Sequence, residues 1–161
     1  MHHYRATCAW RGSTGAGYEE YHRAHAAEGP PAITPLALSA DPAFRGDRAL
    51  LNPEQLLVLA AASCQLLSFL AVAARSRLDV IRYEDDAEGF IPEDDPPLRV
   101  TRIVLRPHIT MRAGDRHAGR ADVLVERVHH CCEVAHRECF IANSLTTEIV
   151  IEPTVEVVSD G

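Results

Sequence analysis

No basic run longer than two residues occurs in this 161-residue chain, and its formal charge is -7. That balance argues against nucleic acid or an anionic membrane surface as a partner. The opening MHHYRATCAW lacks the basic-then-apolar order of a secretory signal, so the expected compartment is the cytoplasm. The five cysteines should be reduced there, and an odd number cannot all pair within one chain. No internal repeat and no low-complexity segment is present. One domain over 1–161 is expected, large enough to bury about two-thirds of its surface.

What is present is one unusual stretch, NPEQLLVLAAASCQLLSFLAVAA, from Asn52 to Ala74. Asn52 is a good N-cap, and Pro53 suits the first helical position, where its missing N–H costs nothing. After Glu54 no charge appears until Arg75, and Ala and Leu, the best helix formers, dominate. The length also suits a bilayer span. Gln55, Ser63, Gln65 and Ser68 are spaced through it, however, and a polar chain with no second span follows. The reading adopted is a buried central helix, apolar on every side and therefore covered on every side. One other long helix and a modest sheet cannot supply that cover, so a dimer with this helix near its interface is predicted. Near the middle of the helix sits Cys64.

Around this helix the pattern alternates. His2–Arg11 reads as a half-buried strand with Cys8 a packed, inert thiol on its apolar side. Gly12–Gly17 reads as a turn. YEEYHRAH, with Tyr18, Tyr21, His22 and His25, reads as an exposed strand with paired aromatics, or less simply as a pocket lining. Ala32–Ser39 is a short strand, and Asp41–Leu51 a polar loop carrying Arg45 and Arg48, where binding groups are commonly presented. Strands at Val80–Ile91 and Arg99–Met111 flank the turn PEDDPP, and Pro107 implies an edge or a bulge in the second. Ile103, Leu105, Ile109 and Met111 share one of its faces. Asp115 can cap a helix reaching about Cys139, with Leu124, Val128, Cys131 and Ala135 as its core stripe. A strand over Glu148–Val158 ends the chain. The order defines an α+β layer structure.

The chemistry lies in the thiols. Cys64 is far from its helix N-terminus, so the dipole gives it little help, and apolar burial would raise its pKa. A reactive Cys64 needs a cation. Glu54 stands ten positions earlier, about 15 Å along the axis, and cannot touch it within the chain. It acts through a long arginine, or from an antiparallel partner helix. Cys139 ends the second helix, and the two cysteines bond only if their Cα atoms come within about 7 Å. His129, Cys132, His136 and Cys139 share one helix face and are all zinc-ligand types. One straight helix nevertheless spreads them over about 15 Å, too far for four bonds of about 2 Å to one ion.

These residues resemble the OsmC/Ohr family, the osmotically inducible and organic hydroperoxide resistance proteins. NPEQLLVLAAASC looks like the family's Asn-Pro-Glu-Glu/Gln-Leu…Cys helix, and AHRECFIANSL looks like the segment of its second cysteine, which falls on Cys139. DPAFRGD, with Tyr18, Tyr21 and His25, is similar to an OsmC-like branch. The resemblance implies an OsmC-like fold: an antiparallel sheet, a long buried central helix, a second long helix and an intertwined homodimer. It implies a peroxidase in which Cys64 reduces an organic hydroperoxide and becomes a sulfenic acid. Cys139 then closes a disulfide, and a dithiol or thioredoxin-like protein restores both thiols. It also implies an arginine beside the thiolate, held by Glu54. The family's position for it is Ala43 here, so Arg45 is the nearest substitute and Arg48 the next. The family's Cys-Pro-Tyr-Ser is here Cys139-Phe140-Ile141-Ala142. No metal and no cofactor is expected. The rival readings are a non-catalytic member with redox-sensing or structural thiols and, further off, a His/Cys metal-binding protein.

Overall fold

The computed structural model describes residues 1–113 and 120–158. The chain divides into two compact units, Met1–Leu57 and Val58–Gly161.

The first unit carries β1 (Thr7–Ala9), β2 (His25–Glu28) and β3 (Leu36–Leu38), paired antiparallel in that order. These strands are shorter than the alternation predicts. All three residues of β1 are exposed, Cys8 among them, so Cys8 is not a packed thiol. The predicted strand through Tyr18 and Tyr21 is a turn, and β2 begins only at His25. Its aromatics do pair: Tyr18 and Tyr21 meet edge-on at 6.1 Å, and the Arg23 guanidinium lies 4.6 and 3.9 Å from their ring centres. A short 3-10 turn, Pro42–Phe44, is capped by Asp41, which accepts from the Ala43 N–H at 2.7 Å. Gly46 follows because only hydrogen fits there. A Cβ would lie 1.6 Å from the Ala40 carbonyl oxygen.

Helix α1, Pro53–Arg75, begins where the sequence signals it. Asn52 Oδ1 accepts from the Gln55 N–H at 2.8 Å, and Gln55 Oε1 accepts from the Asn52 N–H at 3.0 Å. This reciprocal pair is a capping box. Within one chain the helix is covered on one side, as the expected shortage of cover implies. Ala61, Gln65, Phe69, Val72 and Ala73 are buried, whereas Leu59, Leu67 and Leu70 are 51%, 64% and 39% exposed.

The second unit adds β4 (Asp79–Asp85), β5 (Glu88–Phe90), β6 (Arg102–Leu105), β7 (Pro107–Arg112), α2 (Ala121–Glu138), β8 (Glu148–Ile151) and β9 (Thr154–Val158). Each strand predicted as one run is therefore two. The halves go to two three-stranded sheets, β4-β7-β9 and β5-β6-β8. The breaks fall at Asp86–Ala87, at Arg106 and at Glu152–Pro153. Arg106 fastens all three. Its N–H donates to Asp85 Oδ1 at 2.7 Å, and its guanidinium meets Glu88 at 2.6 Å and Glu152 at 3.3 Å. Pro107 does not mark an edge: β7 is the middle strand of its sheet, and Pro107 opens it, a position where no donor is required. The sheets are mixed rather than antiparallel. β8 and β9 follow the α2 crossover, and each runs parallel to its neighbour, β6 and β7. Asp115, the expected cap of α2, lies outside the described residues.

The core is the seam where α1 and α2 lie on the β4-β7-β9 sheet. Phe69, Val72 and Ala73 of α1 meet Leu124, Val128, Cys131, Cys132 and Ala135 of α2 and Ile109 and Met111 of β7. The α2 stripe is the one its 3.6-residue period predicts. Ile109 is wholly enclosed, so Ile109→Ala is expected to cost about 3 kcal/mol and Ile109→Val about 1 kcal/mol. Urea unfolding checks this, and an unchanged midpoint for Ile109→Ala would place the core elsewhere.

Candidate active site

Both thiols of the expected pair lie in the second unit. Cys64 faces outward from α1, half-buried, and Cys139 is the buried residue that ends α2. Both thiols are free, and adjacent amides of one turn reach their sulfurs. Past α2 the chain turns back over the sulfurs. The Ile141 N–H donates to Cys64 Sγ at 3.5 Å, and the Ala142 N–H donates to Cys139 Sγ at 3.4 Å. Asn143 fixes that turn by donating from Nδ2 to the Arg137 and Cys139 carbonyls, each at 2.9 Å.

The two sulfurs are electrostatically unequal. Burial works to raise the Cys64 pKa. The Cys139 thiol, the N–H groups of Ile141 and Phe140 and the Ser68 hydroxyl outweigh it, so the thiol lies below its ordinary value. Burial and the adjacent Cys64 sulfur instead push Cys139 up. Of the two, Cys64 therefore gives up its proton more readily than Cys139. Farther up α2, burial raises Cys132 to about 12, aided by Cys131 and Glu133.

Cys64 opens on a cavity of about 600 Å³ lined by Leu67, Ser68, Ala71, Arg137, Glu138 and Phe140. Glu138 is paired with Arg75 at 2.6 Å. A second cavity, about 370 Å³, has His129, Cys132, Glu133 and His136 in its wall. Among the described residues no three His, Cys, Asp or Glu side chains converge to hold a metal ion.

Arg45, Arg48 and Glu54 all belong to the first unit. Arg45 ends the Pro42–Phe44 turn in a left-handed conformation, φ 65°, and its guanidinium pairs with Glu19, not with Glu54. Arg48 is exposed, and Glu54 is half-buried in the first turn of α1. Sequence reasoning missed the donors that reach Cys64. Ser68 carried a signal, since it stands four positions on and shares the helix face. The Ile141 and Phe140 amides carried none, because every residue type offers that group.

A long apolar helix bearing a lowered-pKa cysteine, a second helix ending on another whose following turn reaches the first, and mixed sheets behind both define an α+β protein with a paired-thiol site. The OsmC-like protein family model matches residues 46–154, and the chain belongs to that family. The fold of an OsmC-like protein of unknown function from Vibrio cholerae superposes with a TM-score of 0.81 and 30% identity, covering 96% of this chain and 100% of that one. An organic hydroperoxide resistance protein from Legionella pneumophila shares the fold at a TM-score of 0.63 and 16% identity, over 97% and 98% of the two chains. The uncharacterized protein YmaD of Bacillus subtilis is 25% identical over 107 residues, 65% of this chain and 68% of its own.

With its thiol below the ordinary range, Cys64 should alkylate with iodoacetamide at neutral pH. Cys132 should stay unmodified until the pH nears 12 or the protein unfolds. Peptide mass spectrometry across a pH series reads both, and equal rates at pH 7 would contradict the assignment.

Proposed function

We propose that this protein is a thiol peroxidase that reduces organic hydroperoxides. The observation that carries the reading is the pair of unequal thiols reached by the adjacent Ile141 and Ala142 amides, with the lower-pKa member facing a cavity lined by Leu67, Ala71 and Phe140. The Cys64 thiolate attacks the outer oxygen of ROOH. The O–O bond breaks, Cys64 becomes a sulfenic acid, and the alkoxide takes a proton to leave as ROH. Cys139 then attacks the sulfenic sulfur, forming the disulfide and releasing water. A dithiol or a thioredoxin-like protein supplies the two electrons that restore both thiols. The fold of the hydroperoxide resistance protein from Legionella pneumophila is consistent with this chemistry.

Reduced protein mixed with an alkyl hydroperoxide and excess dithiol tests the reading. Wild type should turn over. Cys64→Ser should lose turnover entirely, and Cys139→Ser should oxidise once and then stall or over-oxidise. Rapid peroxide consumption by Cys64→Ser rules the mechanism out. A single oxidation of wild type without turnover favours redox-sensing thiols instead.

We also propose that the working form is a homodimer. Leu59, Leu67 and Leu70 recur at helical spacing on one open face of α1, an apolar stripe of the kind that marks an interface. Leu67→Glu should shift sedimentation equilibrium from dimer to monomer. A wild-type protein that sediments as a monomer at tens of micromolar removes this part of the proposal.

A further inference from the structure

The cavity of about 370 Å³ beside α2 lies outside the paired-thiol site and is built from one helix face and one strand end. His129, Glu133, His136 and Arg137 recur at helical spacing, so α2 lays their side chains along one wall. Ile149 and Ile151 of β8, with Pro153 just beyond it, supply an apolar floor. Small-molecule sites are commonly about 300–1,000 Å³, with an apolar lining and a few convergent polar groups. This cavity has that size and that composition.

Its polar groups are not fully committed. Arg75, Arg82, Arg102 and Arg106 of the same unit each hold a glutamate. Arg137 holds no carboxylate among the described residues. Its acidic neighbours on α2 are engaged elsewhere, Glu138 with Arg75 at 2.6 Å and Glu133 beside His130 at 4.0 Å. His136 is half-buried, and its Nδ1 is enclosed without a hydrogen-bond partner. A buried polar atom left unpaired is costly, so a ligand atom that meets it relieves a cost the wall otherwise carries. The wall thus offers an open guanidinium and an unpartnered imidazole above a hydrocarbon floor.

We propose that this cavity binds a small monocarboxylate with an apolar body, its carboxylate on Arg137 and His136 and its body against Ile149, Ile151 and Pro153. The planar guanidinium fork matches a carboxylate through two parallel bonds. Inorganic phosphate or sulfate would satisfy the fork but leave the floor wet, so the floor selects for the apolar body. No step of the peroxidase reading uses this cavity, and the two assignments stand or fall separately. Arg137 also borders the Cys64 cavity, so the experiment has to locate the anion as well as detect it.

Isothermal titration calorimetry of the reduced protein with benzoate, a rigid probe that loses little freedom on binding, is the test. Wild type should bind benzoate saturably. Benzamide, neutral and of the same shape, should bind about tenfold more weakly, the size expected for losing a charge-assisted bond. Arg137→Gln should weaken benzoate by a similar factor, and the side chain is exposed, so the variant should fold. In wild type, nuclear Overhauser effects should run from the benzoate ring to the Ile149 and Ile151 methyl groups. Absence of saturable binding overturns the proposal, as does equal affinity for benzamide or unchanged affinity in Arg137→Gln. Contacts from the ring to the Leu67 methyls instead would put the anion in the Cys64 cavity and overturn it too.

Discussion

The site depends on the register of two helices, and one buried hydrogen bond sets it. Gln65, only 1% exposed, donates from Nε2 to the Cys132 carbonyl of α2 at 3.1 Å. A buried amide left without partners is costly, so a register that broke this bond would be penalised by far more than a misplaced methyl. Gln65 adjoins Cys64 in sequence, and Cys132 lies two turns before Cys139. Fixing one pair therefore fixes the other, and the sulfurs meet at the end of α2. The other amide atom, Oε1, is buried without a partner. This residue thus spends some stability on alignment, which suits a position next to chemistry better than one in a generic core.

The same seam holds thiols shifted in opposite directions, and the cause is local. Cys132 sits among side chains that offer its sulfur no donor, so burial and the neighbouring groups alone act, and it stays protonated. Cys64 is reached by backbone N–H groups only because the chain reverses after Cys139. That reversal depends on Asn143 holding the Arg137 and Cys139 carbonyls. A thiol can thus be lowered in apolar surroundings without a touching cation, provided several neutral dipoles converge on it. A reading of side chains and the helix dipole alone leaves such backbone amides out.

That difference indicates what could be read from the residues in advance. Helix positions were legible because their signals are local: the Asn52–Gln55 cap, Pro53, and the 3.6-residue recurrence of Leu124, Val128, Cys131 and Ala135. Strand identity was legible for the face carrying Ile103, Leu105, Ile109 and Met111, all enclosed. The breaks were not. Arg106 ends one strand and Pro107 begins the next because carboxylates from Asp85, Glu88 and Glu152 gather there, and those residues are 18 to 46 positions away in sequence. Alternation continues across such a hinge, so three pairs of strands read as three single ones. Cys8 was misplaced for the converse reason. Its side of β1 is covered only at Trp10, which packs on Tyr21 and His22 and leaves Cys8 open.

The open side of α1 connects the architecture to the chemistry. Leu67 belongs both to the exposed apolar stripe and to the wall of the Cys64 cavity. Whatever covers the stripe must therefore also border Cys64 and decide how much water reaches it. In the dimer we propose, a second copy would narrow that opening and make the cavity more apolar. Two consequences then pull against each other. Lower polarity raises a thiol's pKa, while excluding water strengthens each hydrogen bond that lowers it. With donors from Cys139, Ile141, Phe140 and Ser68 already converging on one sulfur, the second effect has more bonds to act on. Cys132, with no such donors, would feel only the first. Closing the interface should therefore widen the gap between the reactive thiol and the inert one.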